Sequence, residues 1–202
     1  MNPKHFLSVD IDYWVKDTDS MMTSLLSLMN SKGDIPLIAV MNHQQLLPYV
    51  DESEARHLVN IDYHSDLNNI TVKELHCGSW VSYVKWRAEG KYTWIRPEKD
   101  PSMGRCDSAG SRWNSFTDWR YTSSIIEIPY KFRLNKFLPN CAGIGLCMSP
   151  AFISQPMREF FLELVRLCEI PYEPGDPSEL FSEPKIPPGL EEAHAHVCHI
   201  PY

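Results

Sequence analysis

The sequence has no surplus of positive charge, no long apolar run and no paired cysteines of the CxxC type. Its 26 acidic residues outnumber 19 lysines and arginines, and the formal net charge is −7. A chain with this balance has no basic face with which to neutralise the phosphates of a nucleic acid or an acidic membrane. No apolar run approaches the length of a membrane-spanning helix. The sequence therefore predicts neither a nucleic-acid nor a membrane partner.

The six cysteines are scattered, which is typical of reduced and mostly buried thiols in a cytosolic protein. The first residues carry Asp10 and Asp12 where a signal peptide would have its apolar stretch. We therefore expect a cytoplasmic protein. With 202 residues and 43% hydrophobic residues, the chain suits one α/β domain with or without a tail.

Short apolar runs alternate with amphipathic stretches, which indicates a mainly parallel sheet covered by helices. The runs predict strands at residues 6–12, 35–41, 58–63, 92–95, 124–128 and 141–148. The amphipathic stretches predict three helices and a helical turn at 44–49. The first helix ends at residue 32 and has Thr18, Asp19 or Ser20 as its cap. The other two helices span 78–89 and 151–169. The predicted class is α/β.

Two segments lack such periodicity. Residues 97–121 contain Trp113 and Trp119, which favour an ordered lid that either clamps a peptide or packs as a surface loop. Residues 171–189 are proline-rich and predict an extended arm. We expect a catalytic domain at 1–169, and at 170–202 an arm and histidine-rich tail packed on that domain or on a partner subunit of a homo-oligomer. The tail histidines can also bind a metal, but packing is the preferred interpretation; they are His194, His196 and His199.

Three clusters of aspartate and histidine each follow a predicted strand, at the sheet edge where α/β proteins bind ligands. They are Asp10 with Asp12, His43 alone, and Asp62 with His64 and Asp66. Residues i and i+2 of a strand point to the same side, so each pair can present two ligands to one place. Carboxylates at this density repel one another unless a cation lies between them.

The ligand types narrow the choice of metal. Oxygen ligands with a minority of imidazole suit Mn²⁺ or another divalent first-row ion better than a thiolate zinc site would. Six ligands are enough for two metals if two aspartates bridge. A single DxD pattern is often only a cap, and a single histidine after a strand is more often structural. The conjunction of all three clusters favours the metal hypothesis.

The same residues resemble the metal motifs of a known superfamily. Asp62-Tyr-His64-Ser-Asp66 resembles the DxHxD motif of the arginase/agmatinase (ureohydrolase) superfamily, and Ser8-Val-Asp10-Ile-Asp12 resembles its SxDxD motif. Asn42-His43 is similar to the segment with its first histidine ligand, and Glu74-Leu-His76 to the segment with its proton-shuttle histidine. The early SxDxD, the short chain and residues 145–153 are most similar to the peptide arginases, which convert arginine to ornithine in ribosomally made peptides.

This resemblance implies a three-layer arginase/deacetylase-like fold with a mainly parallel sheet, and two Mn²⁺ ions per chain. Asp62 and Asp10 would bridge the ions. His43 and Asp66 would complete one coordination shell, and His64 and Asp12 the other.

The resemblance also implies a mechanism. A hydroxide held between the metals would attack the guanidinium carbon of an arginine side chain in a peptide substrate. Asp66 would accept a proton from the nucleophile, and His76 would protonate the leaving amine or exchange protons with solvent. The products would be urea and ornithine, a step of ribosomal-peptide biosynthesis.

Several alternatives stay open at this stage. Glu127 is a candidate anchor for the guanidinium, as are Asp107 and Asp118, although a solvated or structural carboxylate is the preferred interpretation for each. Cys77 is interpreted as a packing residue. Other candidate functions are hydrolysis of a free guanidino or amide compound, a single-zinc deacetylase of related fold, and a non-catalytic binding protein stabilised by metal.

Overall fold

One sheet organises the chain. The computed structural model describes residues 4–67, 75–98 and 121–181. Their strands all pair in parallel, in the order β5-β4-β3-β1-β6-β2-β7. The strands are β1 (His5–Asp10), β2 (Leu37–Val40), β3 (His57–Ile61), β4 (Lys91–Pro97), β5 (Tyr121–Ile128), β6 (Cys141–Cys147) and β7 (Tyr172–Glu173). The predicted α/β class and parallel sheet are confirmed.

Three α-helices and several single turns of 3-10 helix connect the strands. The α-helices are α1 (Thr18–Ser31), α2 (Leu47–Glu52) and α3 (Gln155–Leu167). The 3-10 helices are Ile11–Trp14, His43–Leu46, Trp80–Tyr83, Leu134–Phe137, Pro150–Phe152 and Pro177–Phe181. Within these described parts of the chain, no helix is both long enough and apolar enough to cross a bilayer.

Each face of the sheet carries a hydrophobic core. Strand β1 shows why, because Leu7 and Val9 point to one face whereas Phe6 points to the other. Helices α1 and α3 cover the first face. The second face packs against α2 and the buried indoles of Trp80 and Trp86. The polar side chains of the candidate site lie on this second face, at the ends of the strands.

Helix α1 differs from its prediction at one end. Its N-cap is Asp17, one residue before the predicted candidates, and its carboxylate accepts hydrogen bonds from the Ser20 N–H at 3.0 Å and the Ser20 hydroxyl at 2.8 Å. The helix ends near Gly33, which adopts a left-handed φ of 55°. The prediction placed the helix correctly but missed the cap.

The helix predicted over 78–89 was wrong. Only Trp80–Tyr83 is helical there, and Val84 turns to an extended conformation with ψ 124°. The helix-like spacing of apolar residues in this segment comes instead from two buried tryptophans, each held by a hydrogen bond from its indole N–H. Trp80 donates its indole N–H to Asp66, and Trp86 donates its indole N–H to the Val50 carbonyl at 3.1 Å.

The helix predicted over 151–169 begins later, at Gln155. Ile153 is extended and Ser154 caps the helix, so the preceding turn Pro150–Phe152 is a separate element. A proline in the first turn of α3 fits this start, because that turn leaves its N–H groups without intrahelical partners.

The described part of the proline-rich segment lies on the sheet. Strand β7 pairs with β2, and Asn42 donates its side-chain N–H to Glu179 at 2.8 Å. Tyr49 donates its hydroxyl to Glu173. This contact set ties residues 171–181 to the loop that carries His43. The proposed boundary at residue 169 stays a prediction, and Trp113, Trp119 and the tail histidines (His194, His196, His199) lie outside the described residues.

A half-buried histidine makes stability depend on pH. His57 lies beside His5 across β1 and β3, and its ring contacts the Thr93 hydroxyl at 2.9 Å. Burial, with smaller contributions from Lys91 and His5, lowers the pKa of His57 from 6.5 to about 4. The unfolded chain therefore binds more protons than the folded chain between these two pH values.

Acidification from pH 6.5 to 4 should consequently destabilise the wild type through His57. We expect it to lose about 1 to 2 kcal/mol more than a His57→Gln variant over this window, allowing for the partial exposure of the ring. Urea unfolding at both pH values measures the difference. Equal losses in the two proteins would contradict the assignment.

Candidate metal centre

The candidate site lies at the carboxyl ends of the central strands. Strands β1 and β3 are direct neighbours, and β6 separates β1 from β2. Asp10 is the last residue of β1, Asp62 follows β3, and His43 begins the turn after β2. The parallel arrangement thus brings three distant sequence segments to one edge of the sheet.

Asp12 reaches the site by a different route from the predicted one. Strand β1 ends at Asp10, and Ile11–Trp14 forms a 3-10 turn in which the Asp10 carboxylate accepts the Asp12 N–H at 3.1 Å. The expected alternation along a strand is therefore wrong for this pair. The turn itself places Asp12 beside the third segment, where its carboxylate accepts the Tyr63 N–H at 3.3 Å.

The third segment also turns instead of continuing as a strand. β3 ends at Ile61, and the Asp62 carboxylate accepts the His64 N–H at 2.7 Å. Asp66 adopts a left-handed φ of 53°, an uncommon conformation for a residue other than glycine. These two features fold the predicted DxHxD segment back on itself, so that its three ligand candidates approach the other segments.

His43 provides the most informative geometry. Its Nδ1 atom lies 2.8 Å from Asp66, 3.2 Å from Asp10 and 3.2 Å from Asp62, in each case measured to a carboxylate oxygen. The side chain is 1% exposed, and none of these contacts gives Nδ1 a hydrogen bond of acceptable direction. A single imidazole nitrogen cannot serve three carboxylates as a donor. Their convergence instead matches the arrangement of ligands around a cation.

His64 forms a second point of convergence. Its Nδ1 atom lies 3.1 Å from an Asp12 oxygen and 3.9 Å from an Asp62 oxygen. The His64 side chain is 37% exposed, whereas the aspartates beside it are almost fully buried. The cluster is therefore open to solvent on the His64 side.

Two sets of three possible ligand atoms have one residue in common, and within each set the atoms lie within 4.8 Å of one another. One set comes from His43, Asp62 and Asp66, and the other from Asp12, Asp62 and His64. Asp62 belongs to both. Asp10 joins these five residues through its carboxylate oxygen, which lies 3.2 Å from His43 Nδ1. The structure thus brings together all six residues predicted as metal ligands, and this buried cluster has the composition and spacing to bind a metal ion.

The electrostatics explain why such a cluster favours a cation. Burial raises the pKa of Asp10 well above its usual range, and the charges of Asp12 and Asp62 raise it further. Burial also raises the pKa of Asp12 and of Asp62. The facing carboxylates outweigh burial at His64 and raise its pKa to about 10. Protons on these groups relieve the repulsion, and a divalent cation would do the same.

Four polar groups that support the ligands were missed or not assigned roles from the sequence. Each contacts one ligand: Ser8 Oγ lies 2.6 Å from His43 Nε2, Asn60 donates to Asp62 at 3.1 Å, Trp80 donates to Asp66 at 2.7 Å, and Ser149 donates to Asp10. Ser8 belongs to the SxDxD pattern, which was the only available signal. Asn60 and Trp80 lie within apolar runs and look like core positions in the sequence.

Only one ring nitrogen of His76 has a hydrogen-bond partner among the described residues. Its Nδ1 accepts the Gly78 N–H at 3.1 Å, so the neutral ring carries its proton on Nε2. Nε2 is buried and has no hydrogen-bond partner among the described residues. Neighbouring Cys77 is close enough to the cluster for Asp66 and Asp10 to add to the effect of burial, which together raise the pKa of its thiol to about 11. Cys77 is therefore a neutral thiol, in line with the packing role.

Glu127 is already paired elsewhere. It lies on β5, and it accepts hydrogen bonds from Arg96 of β4, one of them from Nε at 3.1 Å. Strand β4 separates β5 from β3, so Glu127 stands apart from the strand ends that carry the cluster. Its proposed role as guanidinium anchor gains no contact in support. Asp107 and Asp118 lie outside the described residues.

Shared and unshared ligands should behave differently when they are replaced. We expect Asp62→Asn to lose both metals because Asp62 serves both ligand sets, and Asp66→Asn to lose only one. Metal analysis after dialysis against Mn²⁺ measures this, with exposed Asp34→Asn as the control. Two metals retained by Asp62→Asn would disprove the shared position.

The Ser8 contact offers a separate test. Ser8 fixes the ring of His43 through Nε2 and leaves Nδ1 for the metal, so Ser8→Ala should weaken metal binding about 10- to 100-fold. Buried Ser24, which donates to the Phe132 carbonyl, provides a matched Ser24→Ala control. Titration calorimetry compares the three proteins. Equal affinities in all of them would contradict the positioning role.

Comparisons with known proteins add no family assignment: no family model matches the chain, and no curated protein or solved structure matches it. The family resemblance therefore depends on the motif residues alone, and the activity it implies is a proposal. The structure shows an α/β chain with an all-parallel sheet and a buried aspartate/histidine cluster suited to binding a metal ion.

Proposed function

We propose that this protein is a hydrolase with two Mn²⁺ ions, and that it converts arginine side chains of a peptide to ornithine with release of urea. The observation that carries the proposal is the pair of ligand sets joined at Asp62. Two metals that share a carboxylate are the arrangement with which hydrolases activate water. The choice of arginine comes from the resemblance of the DxHxD and SxDxD motifs.

The residues divide between two metal positions. His43 and Asp66 would hold one ion, and His64 and Asp12 the other. Asp62 and Asp10 would bridge them. The contacts of Asp10 support its share in this scheme, because one of its oxygens lies 3.2 Å from His43 while its charge acts on Asp12 and Asp62. When bound, the two ions would lower the pKa of water towards neutrality and polarise the substrate.

The protein's own groups would manage the protons. Asp66 is held by the indole N–H of Trp80, which leaves its other oxygen to accept a proton from the attacking water. The proton that Asp66 accepts from the water would pass to the leaving nitrogen. The Nε2–H of His76 is buried and has no partner in the described residues, and it would donate a hydrogen bond to that nitrogen. Water adds to the guanidinium carbon and the bond to the side-chain nitrogen breaks, which gives urea and the ornithine amine.

A polypeptide substrate suits the open side of the cluster. His64 is the exposed member, and the half-buried ring of Phe152 lies 5.2 Å from the His64 ring. The net charge of −7 favours the approach of a cationic side chain. The exposure at His64 supports an arginine residue carried on a chain, because a substrate can approach the cluster from that side.

The direct test is incubation of the Mn²⁺-loaded protein with arginine-containing peptides and, separately, with free arginine and agmatine. Mass spectrometry should find ornithine in the peptides and little conversion of the free compounds. Conversion of the free compounds alone would favour a small-molecule ureohydrolase. No conversion of any substrate at full metal occupancy would overturn the hydrolase proposal and favour a binding protein.

A variant separates catalysis from metal binding. His76→Asn should lower the rate by about 10²- to 10⁴-fold while both metals remain, since the proposal gives His76 a hydrogen bond to the leaving nitrogen and no role as a metal ligand. The exposed substitution Asp34→Ala is the control and should leave the rate unchanged. An unchanged rate in His76→Asn would remove it from the mechanism.

A further inference from the structure

A cysteine that the sequence did not connect with the site lies inside it. Cys147, Asp10 and His43 are all buried, and one ligand atom from each lies within 4.8 Å of the others. Strand β6 lies between β1 and β2, and its register sets Cys147 directly beside Asp10 on one side and Val40 on the other. The sheet therefore places this thiol next to the carboxylate.

Among the described residues, the Cys147 thiol has two polar contacts, one with a backbone carbonyl and one with a serine that also binds Asp10. Its Sγ atom lies 3.2 Å from the Ser149 hydroxyl and donates to the Met41 carbonyl at 3.6 Å. Ser149 in turn donates to Asp10, so the thiol and the carboxylate share one neighbour. On the other side, the buried His43 Nδ1 has no hydrogen bond of acceptable direction.

Packing alone does not account for this arrangement. Cys147 does belong to the hydrophobic core on its face of the sheet, which explains why it is buried. It does not explain why the thiol, a carboxylate and an imidazole ring converge within 4.8 Å of one another. Imidazole, carboxylate and thiolate are the three ligand types that zinc takes in proteins.

We propose that Cys147 is a sulfur ligand of the metal position served by His43 and Asp10, and that this position binds Zn²⁺ or Co²⁺ in preference to Mn²⁺. Thiolate ligands favour such softer ions, whereas the position of His64, Asp12 and Asp62 has only oxygen and imidazole ligands and keeps the preference for Mn²⁺. The inference rests on the proposed metal centre and makes its two positions chemically unequal. Both positions take Mn²⁺ when it is the only divalent ion supplied, and the Cys147 position takes Zn²⁺ or Co²⁺ when the ions compete.

Cobalt reports sulfur coordination directly. The metal-free, full-length protein should gain a near-ultraviolet sulfur-to-cobalt charge-transfer band that saturates at one Co²⁺ per chain. The band should vanish in Cys147→Ser and in Cys147→Ala. It should persist in Cys141→Ser, which alters the other end of the same strand, and in Cys77→Ser, which alters the thiol beside His76.

Competition measures the preference. Zn²⁺ affinity at one position should fall on the order of 10- to 100-fold or more in Cys147→Ser, while the Mn²⁺ affinity of the other position stays within about twofold. Circular dichroism shows whether each variant is folded. Absence of the band from the wild type at full Co²⁺ occupancy would count against the inference without any variant.

The outcomes are distinct. Two bound Co²⁺ ions without a charge-transfer band would overturn this inference and leave the proposed hydrolase intact. A band that persists in Cys147→Ser would also overturn it, because another thiol would then be the sulfur ligand; loss of the band in Cys77→Ser would identify that thiol as Cys77. Failure of the wild type to bind any divalent ion would overturn both proposals.

Discussion

The crowding of buried carboxylates around the Nδ1 atom of His43 is the constraint on which the candidate site depends. Oxygens of Asp10, Asp62 and Asp66 lie 2.8 to 3.2 Å from one nitrogen that can satisfy at most one of them. Burying such charges is costly unless protons or a cation compensate them. The parallel sheet imposes the crowding, since adjacent β1 and β3 both lead into aspartates at the same edge.

The hydrophobic core on the same face supports this charged cluster. The fully buried Trp80 donates a hydrogen bond to Asp66. Ser8 and Asn60 are register partners on β1 and β3, and they contact His43 and Asp62 respectively. Hydrogen bonds of this kind orient ligands and limit their movement. The segment that begins with strand β7 also contacts the loop before His43, through the hydrogen bond from Asn42 to Glu179. Core packing and site geometry are therefore coupled.

The sequence was sufficient for the α/β class, the parallel sheet and the six residues that meet at the site. It failed where tertiary contacts override local pattern. The spacing around Trp80 looked helical because both faces of a turn are buried, and Asp12 reaches the site through a 3-10 turn instead of strand alternation. Cys147 could not be connected with Asp10 in advance, because only the order of strands in the sheet makes them neighbours.

The proposed chemistry depends on two metal ions that the aspartates and histidines hold and that Asp62 joins. Anomalous diffraction from crystals grown with Mn²⁺ locates such ions. We expect two anomalous peaks about 3.5 to 4 Å apart, with a carboxylate oxygen of Asp62 bonded to each. A single peak, or two peaks without Asp62 between them, would contradict the proposal.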